Sequence, residues 1–326
     1  MAGIEALWYQ RNWRHLLLLP ASWLFGAMAA LRRTLYRHSV LRSFKLSVPV
    51  IVIGNISVGG TGKTPLTLKL AQQLSNAGRH PVIISRGFGG NKAQQAVTPG
   101  SSAEEVGDEP KLMAQRGICP VWVGRDRVAT AQAALQAHPL CDVILCDDGL
   151  QHYRLQRDVE IVVIDGVRRF GNGYLLPAGP LREPVSRLAS VDAVVINGGK
   201  NTPGQYSMHL SGDIFYHLND PKKTATALDF KNLRIHAIAG IGHPQRYFDH
   251  LSTLGLTVTP HAFPDHHPYT QDELIYPDCD ALLLTEKDAV KCAAFADDKY
   301  WVLRVDAQID PALTEHLLRK IATHGR

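Results

Sequence analysis

The stretch VIVIGNISVGGTGKTP, Val50 to Pro65, decides how the rest of the chain is read. Four β-branched apolar residues, Val50 to Ile53, read as a buried strand, a glycine-dense loop follows, and Lys63-Thr64 opens a helical pattern. That order is a phosphate-binding loop. Glycine lets backbone N–H groups approach phosphate oxygens, a mobile lysine reaches the β- and γ-phosphates, and a hydroxyl ligates Mg²⁺. The candidate nucleotide-binding residues are Ser57, Val58, Gly59, Gly60, Thr61, Gly62, Lys63 and Thr64. Ser57 departs from the pattern G-x-x-x-x-G-K-[ST], which has glycine there. The plainer alternative is a glycine-rich turn that starts an ordinary helix.

Working outward, Pro65 to Leu74 reads as a helix and Pro81 to Ser85 as a second strand ending in Arg86-Gly-Phe-Gly-Gly90, a βαβ unit. Apolar runs at Val121 to Val123, Val143 to Cys146, Ile161 to Ile164 and Ala193 to Ile196 extend a mostly parallel sheet covered by helices on both faces. Ligands gather at the carboxyl ends of such strands. The residues standing there are Arg86, Arg125, Asp147 with Asp148, and Asp165. Asp147 and Asp148 occupy the position from which a phosphate-loop protein holds Mg²⁺, directly or through water, so with Thr64 they are the candidate metal ligands. A polar strand end turning into Gly149 is the alternative. Gly107-Asp108-Glu109-Pro110 is a second acidic turn, where an acid would also suit a helix N-terminus for structural reasons alone.

A chain of 326 residues, 45% hydrophobic, can fill two domain cores. Its net charge of +5 is unevenly placed: residues 1 to 45 carry +6, which leaves −1 for the remainder. One basic end meeting an anionic surface fits this better than a nucleic-acid footprint. The five cysteines contain no C-x-x-C pair and sit mostly in apolar segments, as in a reducing cytoplasm. Leu16 to Leu31 is uncharged between Arg11, Arg14 and His15 on one side and Arg32, Arg33 and Arg37 on the other. Sixteen helical residues reach about 24 Å, short of the roughly 30 Å hydrocarbon core. Trp8, Trp13 and Trp23 suit the headgroup region, so the stretch reads as an interfacial anchor. A spanning helix, a buried soluble helix and a cleaved signal are its rivals; the last would carry the loop away from ATP.

From about Gln205 the composition changes, and a second α/β alternation begins. Strands are expected at Ile235 to Ala239, Gly255 to Val258, Ala281 to Leu284 and Tyr300 to Val305, with helices near His243 to Leu254, Glu286 to Phe295 and Pro311 to Thr323. The division is therefore an N-terminal membrane-associating segment (1–45), a nucleotide-binding domain (46–205) and a smaller α/β domain (206–326) joined by extended strands. His243, His250, His261, His266 and His267 crowd one region without zinc-site spacing. Asp265-His266 reads equally as a surface loop between prolines or as a proton-transfer pair.

The phrases GNISVGGTGKTP, SRGFGG, VGDEP, VGRDR, DVILCDDGLQH, LLPAGPLREP, AIAGIGHPQRYF, FPDHH and LLLTEKDAVKC, in this order over residues 48 to 305, resemble the tetraacyldisaccharide 4′-kinases of Gram-negative bacteria. In that family the first loop glycine is habitually serine or threonine. The resemblance implies ATP- and Mg²⁺-dependent phosphorylation of the 4′-hydroxyl of a tetraacylated disaccharide 1-phosphate on the cytoplasmic face of the inner membrane. It also implies that His266 works with Asp108 in activating the acceptor, with Lys63 drawing on the transferred phosphate. The partners would be this lipid and the inner leaflet, with no nucleic acid. A membrane-attached nucleotide hydrolase that switches a protein partner, and a soluble module with a degenerate loop, are the competing readings. Removing residues 1 to 37 is expected to move the protein from the membrane fraction to the soluble one; unchanged sedimentation with membranes would defeat the anchor reading.

Overall fold

The structure, a computed structural model, describes residues 8–9, 13–90 and 94–322; Arg11 and Thr323, which the sequence placed in the basic flank and the last helix, lie outside them. Two sheets order the described residues. The larger takes β1 (Val50–Gly54), β2 (Pro81–Ser85), β3 (Gln95–Val97), β4 (Val121–Val123), β5 (Val143–Asp147), β6 (Val159–Asp165), β7 (Ala193–Asn197) and β8 (Tyr206–Ser211). The smaller takes β9 (Ile214–His217), β10 (Thr224–Thr226), β11 (Ile235–Ala239), β12 (Val258–Ala262), β13 (Ala281–Thr285) and β14 (Tyr300–Leu303). The chain then returns, and β15 (Asp306–Ile309) joins the larger sheet beside β8.

The larger sheet runs β15-β8-β7-β6-β1-β5-β2-β4-β3, parallel except at its two edge strands. β1 lies between β5 and β6, so the loop leaving its carboxyl end opens where strand order reverses, the crevice in which such sheets take ligands. The continuous apolar run of β1 follows from having both faces covered. Ile51 and Ile53 face the core under α1 (Lys63–Asn76) and α2 (Pro311–Ile321), while Val50 and Val52 face the opposite core with Val128, Ala131 and Ala134. The smaller sheet runs β10-β9-β14-β13-β11-β12 around its own two cores.

Three expectations shift. The strand expected from Gly255 begins at Val258, because Gly255 adopts φ +83° and closes the preceding helix. The strand expected over Tyr300 to Val305 splits in two. Arg304 donates its backbone N–H to Ile214 O, and Val305 is held by the Glu286 carboxylate and the Arg116 guanidinium, so the chain changes sheets there. The expected boundary at 205 gives way to two adjacent crossings, Gly212-Asp213 and Arg304-Val305, and residues 306–321 pack with the larger lobe.

The apolar N-terminal stretch forms a helix over Leu19–Arg37. Its inner side is fixed to the 175–178 segment: Ser22 Oγ donates to Leu175 O at 2.8 Å and accepts from Ala178 N at 2.9 Å. Its outer side is bare, with Trp23, Leu24, Met28 and Leu31 each 60% or more exposed. The same segment continues into a buried charge chain in which Arg187 bonds both oxygens of Glu160, at 2.7 and 2.6 Å, and Glu183 at 3.1 Å. Arg187→Met removes the cation shared by two buried carboxylates, which keep Arg157 on Glu160 and Gln151 and Tyr153 on Glu183, a loss of about 2 kcal/mol. The expected result is a lower urea midpoint at unchanged m-value; an unaltered midpoint would show the chain to be energetically idle.

Candidate active site

The loop between β1 and α1 owes its shape to two glycines with positive φ, Gly59 (+102°) and Gly62 (+94°). Ser57 lies outside that set. It is buried and bridged antiparallel to Leu181, with Val58 N donating to Pro180 O at 2.8 Å and Arg182 N to Ile56 O at 2.7 Å. Ordinary extended backbone admits a side chain there, which accounts physically for the departure from glycine. Thr61 is buried, Gly60 meets the opposite lobe, and Thr64 is half-buried in the first turn of α1.

Lys63 and the two acids after β5 converge on this loop. Lys63 Nζ stands 3.5 Å from Asp148 Oδ1, and Arg182 Nη1 stands 3.7 Å from Asp148 Oδ2. Burial opposes ionisation of Asp148, but Lys63 and then Arg182 outweigh it and hold its carboxyl below the usual range. Asp147 is fully buried. Thr67 Oγ1 lies 3.0 Å from its Oδ1, while Oδ2 has no hydrogen-bond partner. Burial, followed by the charges of Glu109 and Asp148, pushes its pKa up. An oxygen-seeking cation would answer both the orphaned oxygen and the crowded negative charge. Among the described residues no cluster of three or more His, Cys, Asp or Glu side chains could hold a metal alone. Mg²⁺ commonly takes one or two carboxylates and completes its shell with water and phosphate oxygens.

Asp108 begins the helix Asp108–Arg116, after Gly107 at φ +89°. A Cβ at Gly107 would come 2.7 Å from Phe88 O, and one at Gly90 would come 2.3 Å from Glu105 O. The SRGFGG and VGDEP phrases thus interlock backbone to backbone, which fixes where Asp108 points. From the other lobe comes His266, in left-handed backbone (φ +61°) that costs a residue with a Cβ about 1–2 kcal/mol. Its Nδ1 meets Asp108 Oδ2 at 3.0 Å, so the two residues are in contact across the lobes. His267 turns away to Glu273, at 3.0 Å.

Other contacts had no signal strong enough in the sequence. Asn197, at the end of β7, donates to Thr61 O at 2.9 Å and accepts from Arg246 of the smaller lobe at 2.9 Å. Arg246 also faces Asp165, at 3.8 Å. A Cβ on Gly242 would come 2.9 Å from Gly60 N, so the 240–243 turn rests on the phosphate loop, and Arg168 donates to Gly242 O. The strand-end rule could have found Asn197; nothing in spacing marks Arg246. Arg86 and Arg125 are exposed, whereas Arg127, unremarked in the sequence, is buried against the Asp147 and Asp148 carbonyls, at 3.5 Å from each.

The family model described as Tetraacyldisaccharide-1-P 4′-kinase matches residues 14–322. A tetraacyldisaccharide 4′-kinase of Methylobacillus flagellatus is 51% identical over 98% of this chain and 95% of its own length. One of an Azoarcus species is 50% identical over 100% and 97%. A solved structure described as an "apo" form of LpxK from Aquifex aeolicus in complex with ATP superposes with a TM-score of 0.80 at 29% identity, covering 94% of this chain and 99% of that one.

The two loop positions separate in a nucleotide-binding titration. Ser57→Gly is expected to leave affinity within about threefold, since Ser57 needs no special backbone. Gly62→Ala, whose Cβ would come 2.4 Å from Asn197 Nδ2 at φ +94°, is expected to weaken it at least about tenfold. Equal effects would contradict this division.

Proposed function

The chain belongs to the tetraacyldisaccharide-1-P 4′-kinase family, and on that premise we propose that it transfers the γ-phosphate of ATP to the 4′-hydroxyl of a tetraacylated disaccharide 1-phosphate. The observation that carries this reading is the 3.0 Å contact of Asp108 with His266 beside a phosphate loop. A hydrolytic switch has no need of such a pair, and the family match runs against that alternative.

In phosphoryl transfer the protein mainly positions groups and stabilises spreading negative charge. Backbone N–H groups of residues 59 to 64 cradle the phosphates, and Lys63 draws on the β- and γ-phosphate oxygens. Asp108, with Oδ2 engaged by His266, has Oδ1 left for the acceptor. As the acceptor oxygen bonds to the γ-phosphorus and the bond to the β,γ-bridging oxygen breaks, the hydroxyl proton passes to Asp108 and ADP departs. A carboxylate is a weak base toward an alcohol, so it takes the proton as bond formation acidifies it. Thr64, Asp147 and Asp148 are the residues that would hold Mg²⁺, whose charge, when bound, offsets that of the β- and γ-phosphates.

The bare face of the N-terminal helix supports attachment to the cytoplasmic face of the inner membrane. A four-chain lipid cannot leave a bilayer cheaply, at about 0.8 kcal/mol per exposed CH₂. An enzyme that comes to the surface avoids that cost, and the basic end favours an anionic leaflet. ATP labelled at the γ-phosphate, incubated with the acylated disaccharide 1-phosphate in vesicles, should label the lipid. Label recovered only as inorganic phosphate would defeat the reading.

A further inference from the structure

His266 has a second partner. Lys287 Nζ approaches its Nε2 at 3.1 Å while also meeting Asp265 Oδ1 at 2.8 Å and Glu109 Oε1 at 3.5 Å. Three N–H bonds of one ammonium thus face three acceptors. The lysine side chain is only 16% exposed, and it stands in the first turn of a capped helix. Thr285 Oγ1 caps that helix from Asp288 N, and Asp288 Oδ2 is in turn bonded by Gly240 N at 3.0 Å and Thr285 Oγ1 at 2.7 Å.

An ammonium can only donate, so Nε2 must present its lone pair, and the ring proton must sit on Nδ1, where Asp108 Oδ2 receives it. An imidazolium would instead aim an N–H and a positive charge at Lys287. We propose that Lys287 is a positioning residue of the transfer reaction: by donating to His266 Nε2 it fixes the imidazole as its neutral Nδ1–H tautomer and keeps Asp108 the group that receives the acceptor's proton. This rests on the reading of Asp108 and His266 given above. The ammonium state is secure: burial alone would discharge Lys287, but Glu109 and then Asp265 outweigh it and leave its pKa above the ordinary lysine value. The charged groups facing the imidazole are Asp108 from the larger lobe, and Asp265 and Lys287 from its own, with Glu109 of the larger lobe meeting Lys287; Phe88 packs its ring 5.2 Å away.

Without the cation, Nε2 faces the Asp265 carboxylate at 3.9 Å with no donor holding its lone pair, so an N–H at that position is no longer opposed. An imidazolium bound to Asp108 makes that carboxylate a poorer base. Lys287→Met is therefore expected to move the acid limb of the kcat–pH profile upward by about one pH unit or more. The KM for ATP should change by less than about threefold, because Lys287 makes no contact with the phosphate loop. Lys287→Arg, which keeps charge and donors, should restore most of the wild-type profile. In the full-length protein in nanodiscs with ¹⁵N-labelled histidine, the signal lost in His266→Gln should show the neutral Nδ1–H form near neutral pH. An Nε2–H form or an imidazolium there would overturn the proposal, as would a Lys287→Met profile superimposed on wild type. Failure of the underlying reading looks different: Asp108→Asn and His266→Gln would both keep near-normal turnover, whatever tautomer the spectrum shows.

Discussion

The hydrogen bond between Asp108 and His266 joins side chains 158 residues apart, carried on two lobes between which the described residues cross twice. A 3.0 Å contact tolerates little relative motion. The helix Asp108–Arg116 meets that constraint as a short beam pinned at both ends. At its start, Asp108 and Glu109 meet His266 and Lys287. At its end, Arg116 reaches Glu286 at 2.7 Å, Val305 O at 2.7 Å and Asp306 at 2.8 Å, beside the crossing from the smaller sheet back to the larger. Glu286 and Lys287 are neighbours at the start of one smaller-lobe helix, so two adjacent residues of that helix hold both ends of the beam. Distance between the lobes and alignment of Asp108 with His266 are therefore set by the same contacts.

The phosphate loop is tied into the same arrangement from the other side. Thr61, Asn197, Arg246 and Asp165 form a chain that crosses the lobes, and the 240–243 turn lies over Gly60. The segment from Leu175 to Glu183 connects the loop to the N-terminal helix: it bridges Ser57, pairs Arg182 with Asp148, and receives Ser22 and Arg33 from the helix. One stretch of backbone thus relates the apolar face, the acid after β5 and the nucleotide loop. Our placement of lipid transfer at a membrane surface draws on that continuity.

Much of this was legible because its causes are local. The β-branched run before the loop, the acids following Val143 to Cys146, and the uncharged stretch near the N-terminus each act through their own composition. Ser57 was harder. It is permitted by a bridge to Leu181, 124 positions away, which no local rule contains. The return of residues 306–321 to the larger lobe was hidden for a related reason: a strand's period carries no information about which sheet it joins, and Arg304-Val305 breaks the run through contacts with Ile214, Glu286 and Arg116. Lys287 shows the limit most clearly. Thr285 caps the helix that carries it, and a cap is as much as the local phrase can express. Its placement between Glu109, Asp265 and His266 exists only once two lobes are folded against each other.

If Asp108 and His266 act as one unit across the lobes, a double-mutant cycle on kcat shows it most directly. Turnover of the labelled lipid would be measured for wild type, Asp108→Asn, His266→Gln and the double variant at saturating ATP. For a single unit, the double variant should lose about as much as the more damaging single change, because either change already disables the pair. Losses that multiply would show two independent contributions and contradict the claim.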